Sequence, residues 1–593
     1  MNVTLAGDEP SGNTIDTVRS EYASRRDRYA LVAERYGRGA TFVSRAKRVV
    51  TYSIIGYTVF DPTVGFILVP LGLGLIPVTL MQSWCIRRWR RAAVRGEYYI
   101  AGLRRLDDQW QGHGVRGGRY ADASHAYACD LDLFGRGSLF ELLCTAKSRS
   151  GQDRLAAWLL SPADRQTILK RQQAIRELRE CSEFREAIAT VPSERRHRAS
   201  VSIPVLVDAD WVFDSARGKV LSSLWIVFLV AALVGAVVFG GGWWIAVAVA
   251  VVGEVALYHT VRLRLQALGQ SIHGLKRTLS ASVSMIRTMR RIHDSTPMLS
   301  ELQRQASGDS ESIRVVRRLL NALVLNEPTV LLMLLQLFPP LQRLHRRQVE
   351  RLRDTLDAVG RVEALCSLAT YAYEHPHDVF PNVEEEGPIF RTEGIGHPLL
   401  SESRCVRNDV TFEPPVRLLI ISGSNMSGKT TLMRSVGVNV VLALAGAPVR
   451  ARSMTLSPFV LGTAIRFADS LQEGASHFAT VVQRMKQVID MQQDDRPLLY
   501  LFDEILQGTN SQDRRVGAEA VLRRLVEANA FGIVSTHDLS LTEIVNDLDG
   551  RAINLHFEDK VIDGQMTFDY QLRPGVVQKS NALDVMRSFG LDV

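Results

Sequence analysis

The stretch "ISGSNMSGKTTLMRSVG", residues 421–437, decides the fold of the C-terminal part of this chain. It carries a glycine, four residues, and then Gly428-Lys429-Thr430, directly after the apolar run Arg417-Leu-Leu-Ile-Ile-Ser422. A buried strand entering a glycine-rich turn and then a helix leaves backbone N–H groups free to surround a phosphate. The expected nucleotide-binding residues are Gly423, Ser424, Asn425, Met426, Ser427, Gly428, Lys429, Thr430 and Thr431. Lys429 is expected to neutralise β- and γ-phosphate oxygens, and Thr430 to offer a hydroxyl to Mg²⁺. ATP and Mg²⁺ are therefore the expected cofactors.

Two further apolar runs end in residues that such chemistry needs. Pro497-Leu-Leu-Tyr-Leu-Phe-Asp503-Glu504 reads as a buried strand closing on two acids. Asp503 is expected in the metal shell, and Glu504 is expected to polarise the attacking water. Gly532-Ile-Val-Ser-Thr-His537-Asp538 ends in a histidine placed to sense the γ-phosphate. Glu504 and His537 are the expected catalytic residues, and Thr430 and Asp503 the expected metal ligands.

The chain has 593 residues, too many for one compact domain at about 150 residues each. Its formal charge of +8 is uneven, with arginines flanking two apolar runs, and fits either anionic lipid or nucleic acid. Cys85, Cys129, Cys144, Cys181, Cys366 and Cys405 form no C-x-x-C pair and read as reduced thiols, with neither a disulfide frame nor a zinc site. The first 40 residues are polar and contain acids, which predicts no cleavable signal peptide.

Between Val49 and Ile86 only Asp61 is charged, and between Leu221 and Val261 only Glu254. Asp61-Pro62 and Gly240-Gly241-Gly242 divide these runs, and Trp243 and Trp244 stand where an aromatic belt would lie. Basic residues (Arg45, Lys47 and Arg48 before the first run, Arg87, Arg88, Arg90 and Arg91 after it) predict two transmembrane hairpins with both termini cytoplasmic. The expected location is thus the cytoplasmic (inner) membrane, multi-pass. A third apolar patch, Leu319 to Phe338, contains Asn321, Asn326, Glu327 and Pro328 and reads as a packed or interfacial helix.

Asp503-Glu504-Ile505-Leu506-Gln507-Gly508-Thr509-Asn510 resembles the Asp-Glu-Leu-Gly-Arg-Gly-Thr-Ser segment of MutS mismatch-repair ATPases. Ser424–Lys429 resembles the MutS phosphate loop, Ser535-Thr536-His537-Asp538 its histidine switch, and Gly474-Ala475-Ser476-His477-Phe478 its Gly-Arg-Ser-Thr-Phe segment. The resemblance implies that Ser476 approaches the nucleotide of a partner subunit, as in the related ABC ATPases. Upstream, Gly396-His397-Pro398-Leu399-Leu400 with Asn408-Asp409 resembles the entry to the ATPase domain. Leu131-Asp132-Leu133-Phe134-Gly135, Gly137-Ser138-Leu139-Phe140 and the Gly151-to-Pro162 pattern resemble the start of the MutS core. Leu506 and Gln507 depart from the family's Gly and Arg. Cys405-Val406-Arg407 stands where the family brings an aromatic to adenine. Phe184-Arg185-Glu186 copies a Phe-x-Glu reading motif but sits on a helical pattern, and reads as lever helix.

The expected architecture is an α/β P-loop ATPase domain of ABC/MutS type plus an all-α core and lever region with two transmembrane helical hairpins. Expected boundaries are 1–100 with the first hairpin, 101–219 core and lever, 220–262 second hairpin, 263–390 lever, and 391–593 ATPase. Two functions fit: a membrane-anchored, dimeric, DNA-binding ATPase of mismatch-repair type, or a mechanical ATPase that lost mismatch recognition and acts on a membrane or protein partner. An ABC transporter fits less well, because four short spans make a poor pore. Expected partners are a second copy with composite ATP sites, DNA, and inner-membrane lipid. Arg287, Arg290, Arg291, Arg314, Arg317, Arg318, Arg343, Arg346 and Arg347 are candidate contacts to a phosphate backbone, or a solvated or lipid-facing helix surface.

Overall fold

A computed structural model describes residues 14–60, 65–191, 216–253, 280–290, 296–308 and 353–577, less 386, 425, 466–476, 494–495, 507–509 and 563–564. The chain divides into two compact units. One comprises Met1–Thr145, Leu155–Glu186 and Leu365–Val593, the other Ala146–Arg154 and Ala187–Ala364.

The first unit opens with two long helices, α1 (Ile15–Phe60) and α2 (Gly65–Leu106), that pack along each other. Small residues allow the approach: a β-carbon on Gly102 would stand 2.4 Å from the Tyr22 ring, and one on Gly37 would stand 3.4 Å from Trp89. Their base is polar. Glu186 accepts hydrogen bonds from Tyr29 (2.8 Å) and Tyr99 (2.6 Å), and Glu374 receives both guanidinium arms of Arg105 at 2.6 Å. Arg185 is buried, donates to the Leu178 carbonyl at 2.6 Å, and lies over the Tyr373 ring. Phe184, Arg185 and Glu186 are all buried on the helix Ser182–Ala189, so this motif presents no probe to a ligand.

The same unit holds two sheets. The smaller runs β1 (Asn382–Val383), β5 (Ser453–Leu456), β2 (Phe390–Ile395), β3 (Asn408–Phe412) in spatial order. The larger has six strands: β10 (Gln565–Pro574), β9 (Ala552–Ile562), β4 (Leu418–Ser422), β8 (Phe531–Thr536), β7 (Leu498–Phe502) and β6 (Val460–Ala464). All its pairings are parallel except β9 with β10. Every residue of β4, β6, β7 and β8 is buried, which explains their near-continuous apolar sequences: a parallel strand covered on both faces has no polar side. Helices α3 (Lys429–Ala445), α4 (His477–Asp490) and α5 (Ser511–Glu527) belong to this region. Phe502, Leu522, Leu525 and Val534 share one apolar core with Val481 and Met485.

In the second unit, helix Ala216–Phe239 turns at Gly240 and Gly241, both at positive φ, into helix 243–253. A β-carbon on Gly235 would stand 2.4 Å from Trp243, and one on Gly253 would stand 2.3 Å from Trp225, so each indole fills the gap a glycine leaves. Trp243 is thereby committed to its own hairpin.

The expected transmembrane hairpins, multi-pass inner-membrane location and lipid partner are corrected: among the described residues no helix is long and apolar enough to cross a membrane. The apolar residues from Val49 form only the end of α1, whose earlier turns carry Arg25, Arg26, Asp27 and Arg28. Twelve residues of helix rise about 18 Å, against the ~30 Å of hydrocarbon to be crossed. In the first run, hydropathy marked the apolar end of a longer, mixed helix. The patch Leu319 to Phe338 lies outside the described residues. So do the basic candidates, except Arg287 and the exposed Arg290, whose Nε donates to Ser307 at 3.3 Å.

Candidate functional site

The site forms where β4, β7 and β8 end. β4 delivers the chain to Gly423 (φ 151°), and the loop closes at Gly428 (φ 110°). A β-carbon on Gly423 would stand 3.0 Å from Ser427 Oγ and 3.1 Å from the Phe557 carbonyl, so only glycine fits this approach. Helix α3 then begins with no side-chain cap, leaving its first N–H groups directed at the loop. Among the described residues, the Ser424 and Ser427 hydroxyls are buried without a hydrogen-bond partner. Such donors, with the open helix start, fit a phosphate group.

Lys429 is buried and curls back over the loop, donating to the carbonyls of Gly423 (2.8 Å) and Ser424 (2.6 Å). Burial lowers its pKa, opposed by the carboxylates of Asp503, Glu504 and Asp559. Thr430 donates to Asp503 Oδ2 at 2.6 Å, and Ser535 donates to the other oxygen of the same carboxylate. The Asp503 amide donates to the Ala464 carbonyl at 2.9 Å. Thr430 and Asp503 are thus brought together, as a hydroxyl and a carboxylate offered to Mg²⁺ require.

Glu504 and Leu506 both have positive φ, 49° and 54°. A non-glycine residue in this region is strained by about 1–2 kcal/mol. Leu506 is nonetheless buried in the core below. The Glu504 carboxylate meets His537 Nε2 at 2.5 Å, the Glu504 amide donates to Ser535 Oγ at 3.0 Å, and His537 Nδ1 lies 3.1 Å from the Gly423 carbonyl. Of the expected residues, Asn425 and Ser476 lie outside the described set, and the others line one turn-and-strand-end arrangement.

A cleft of about 650 Å³ adjoins the loop, lined by residues including His397, Cys405, Val406, Asn408, Lys429, Glu504 and Tyr570. Burial, reinforced by Arg434, lowers the His397 pKa to about 4, against the opposing pull of Asp132. No aromatic comes from Cys405-Val406-Arg407, but Tyr570 comes from the opposite side. Its backbone is at φ 55° in a bulge between Phe568 and Leu572, it is 42% exposed, and its ring would touch a β-carbon on Gly428 at 3.2 Å. Asn408 fixes the bulge, donating to the Tyr570 carbonyl (3.0 Å) and accepting from the Leu572 amide (2.7 Å). Sequence alone gave no role to Tyr570 and named Ser535 only within the Ser535–Asp538 segment. Ser535 was within reach, since parallel strands ending together place the residue after Val534 beside the residue after Phe502.

A strand, a glycine loop, a helix with lysine at its first turn, and an acid at the end of another parallel strand of the sheet define the P-loop class of α/β nucleotide-binding domains. The family model "MutS domain V" matches residues 419–592. DNA mismatch repair protein MutS of Natronomonas pharaonis is 32% identical over 246 residues, which are 41% of this chain and 28% of that protein. MutS of Streptococcus equi subsp. equi is 31% identical over 248 residues (41% and 29%), and DNA mismatch repair protein MutS 2 of Halobacterium salinarum is 31% identical over 261 residues (43% and 29%). Over this C-terminal region the chain is similar to MutS proteins. The chain spans under a third of the length of these relatives.

Proposed function

We propose that this protein is a Mg²⁺-dependent ATP hydrolase of MutS type that couples ATP binding and hydrolysis to movement of its helical elements on DNA. The observation that carries the reading is the convergence of Lys429, the Thr430–Asp503 pair and the Glu504–His537 pair on one phosphate loop. In this reading the loop amides from Gly423 to Gly428, with Thr431, hold the phosphates, and Lys429 exchanges its carbonyl contacts for phosphate oxygens. Thr430 and Asp503 hold the metal, which when bound supplies positive charge to the phosphate oxygens. Glu504 orients and deprotonates water, and His537 reports the γ-phosphate to the Gly423 carbonyl it touches. Tyr570 offers a ring face to the base; aromatic stacking of this kind is worth about 1–3 kcal/mol.

Assembly belongs to the same proposal. The chain carries one phosphate loop and one Gly-Ala-Ser-His-Phe segment, so a symmetric pair would complete two sites by exchange, Ser476 of each chain serving the partner. DNA as the partner is supported by the names of the matched relatives, which are DNA mismatch repair proteins. The test is mixing: Ser476→Arg chains combined with Lys429→Ala chains should regain roughly one working site per mixed dimer. Mixed dimers that form and stay inactive would refute shared sites. Salt-dependent retention on duplex against mismatched DNA tests the partner.

A further inference from the structure

One loop outside the nucleotide site touches α3, which carries Thr430, and the end of β6, whose Ala464 carbonyl holds the Asp503 amide. Asp130, 3% exposed, accepts at a single oxygen, Oδ2, from Thr463 Oγ1 (2.6 Å) and from the Ile465 amide (3.1 Å). Between these two residues lies Ala464, whose carbonyl holds the Asp503 amide. Thr463 is held again from the same loop, its amide donating to the Ala126 carbonyl at 3.0 Å. Arg484 reinforces the joint, donating to the Thr463 carbonyl (3.1 Å) and the His125 carbonyl (2.7 Å). The next two residues reach the other element. Leu131 lies against α3 where a β-carbon on Gly437 would stand 2.6 Å from it, and Asp132 accepts from Arg434 at 3.3 Å, one turn beyond Thr430.

We propose that Asp130 is a positioning residue for the metal-binding pair Thr430–Asp503, acting through Thr463, Ala464 and Ile465. Resting on the ATPase reading above, this makes residues 125–132 a brace that sets the reach between α3 and the end of β7. A hydroxyl and a single carboxylate make a sparse metal site, so their separation controls how well Mg²⁺ is held; octahedral coordination at about 2.1 Å tolerates little displacement. Nucleotide held by the loop amides without metal does not depend on that separation.

The test uses the full chain, titrating Mg²⁺ in ATP hydrolysis and measuring binding of labelled ATP in EDTA. Asp130→Ala should raise the half-saturating Mg²⁺ about tenfold while metal-free ATP binding stays within about twofold. Asp130→Asn keeps an acceptor for both donors and should restore most of the Mg²⁺ response. Thr463→Val removes one donor and should shift it in the same direction by less; it decides the matter if Asp130→Ala does not fold, as judged by melting. Wild-type Mg²⁺ dependence in a folded Asp130→Ala or Thr463→Val chain overturns the inference, as does an equal loss of metal-free ATP binding. A wild-type chain with no Mg²⁺-dependent hydrolysis overturns the ATPase reading itself, a result distinct from either.

Discussion

The phosphate-loop region and the α1–α2 hairpin are held by opposite means. β4, β7 and β8 are buried throughout and covered on both faces, and polar chemistry is confined to their ends. The base of the hairpin buries polar groups instead: Arg105 with Glu374, Arg185 over Tyr373, Tyr22 between neighbouring rings. An apolar sheet core draws its stabilisation from many small contacts, so a truncation there costs in proportion to the apolar atoms removed and the cavity left. A buried ion pair is brittle, because removing one partner strands the other in a low-dielectric interior. The site therefore stands on the apolar part of the first unit.

Four measurements sharpen or break that contrast. The largest effect should come from the brittle region: Glu374→Ala leaves the Arg105 guanidinium buried without its carboxylate and should cost about 3–5 kcal/mol in denaturant unfolding. A cost under about 1 kcal/mol would show the pair to be replaceable.

Next is the pH response of the buried histidine beside the cleft. His397 has its folded pKa lowered to about 4 from an ordinary 6.5, so below pH 6.5 the unfolded chain binds the proton that the folded chain refuses. Its contribution is complete above about pH 6.5 and is lost as pH falls toward about 4, up to about 3 kcal/mol in all. His397→Asn, which keeps an acceptor for the Leu399 amide, should flatten that part of the curve. An unchanged curve would contradict a neutral, buried His397.

Lys429→Ala follows, with ATP affinity expected to fall about 100-fold, as loss of a charge-assisted contact worth up to about 3 kcal/mol predicts. Equilibrium binding reads it, and melting in the absence of ATP should stay close to wild type. The smallest is Tyr570→Ala, expected to raise the KM for ATP about tenfold with kcat unchanged and to be restored by Tyr570→Phe. A change in kcat alone would move Tyr570 from base contact to chemistry.

What could be read from sequence follows the same division. The placement of the loop from Gly423 to Thr431 and of Asp503 and Glu504 was legible because it follows local order: strand, turn, helix start, strand end. Tyr570 was not legible, since a bulge braced by Asn408, far away in sequence, brings it to Gly428. Leu506 looked like a departure of side chain only, whereas the backbone there demands positive φ and the leucine is retained by burial. The hairpins were misread for a physical reason: hydropathy registers apolar runs, and says nothing of the glycine–tryptophan packing of Gly235 with Trp243 that occupies part of such a run within the protein. Ser476 lies outside the described residues and stands on its resemblance alone.

The central claim is that Glu504, held by His537 at the end of β7, acts on the water that attacks ATP. The direct measurement is single-turnover hydrolysis of Mg·ATP by wild-type and Glu504→Gln chains, with bound nucleotide identified after rapid removal of the free pool. Glu504→Gln should bind ATP as tightly as wild type and turn it over at least about 100-fold more slowly, so that ATP, not ADP, is recovered from the protein. Equal turnover by the two chains would contradict the account.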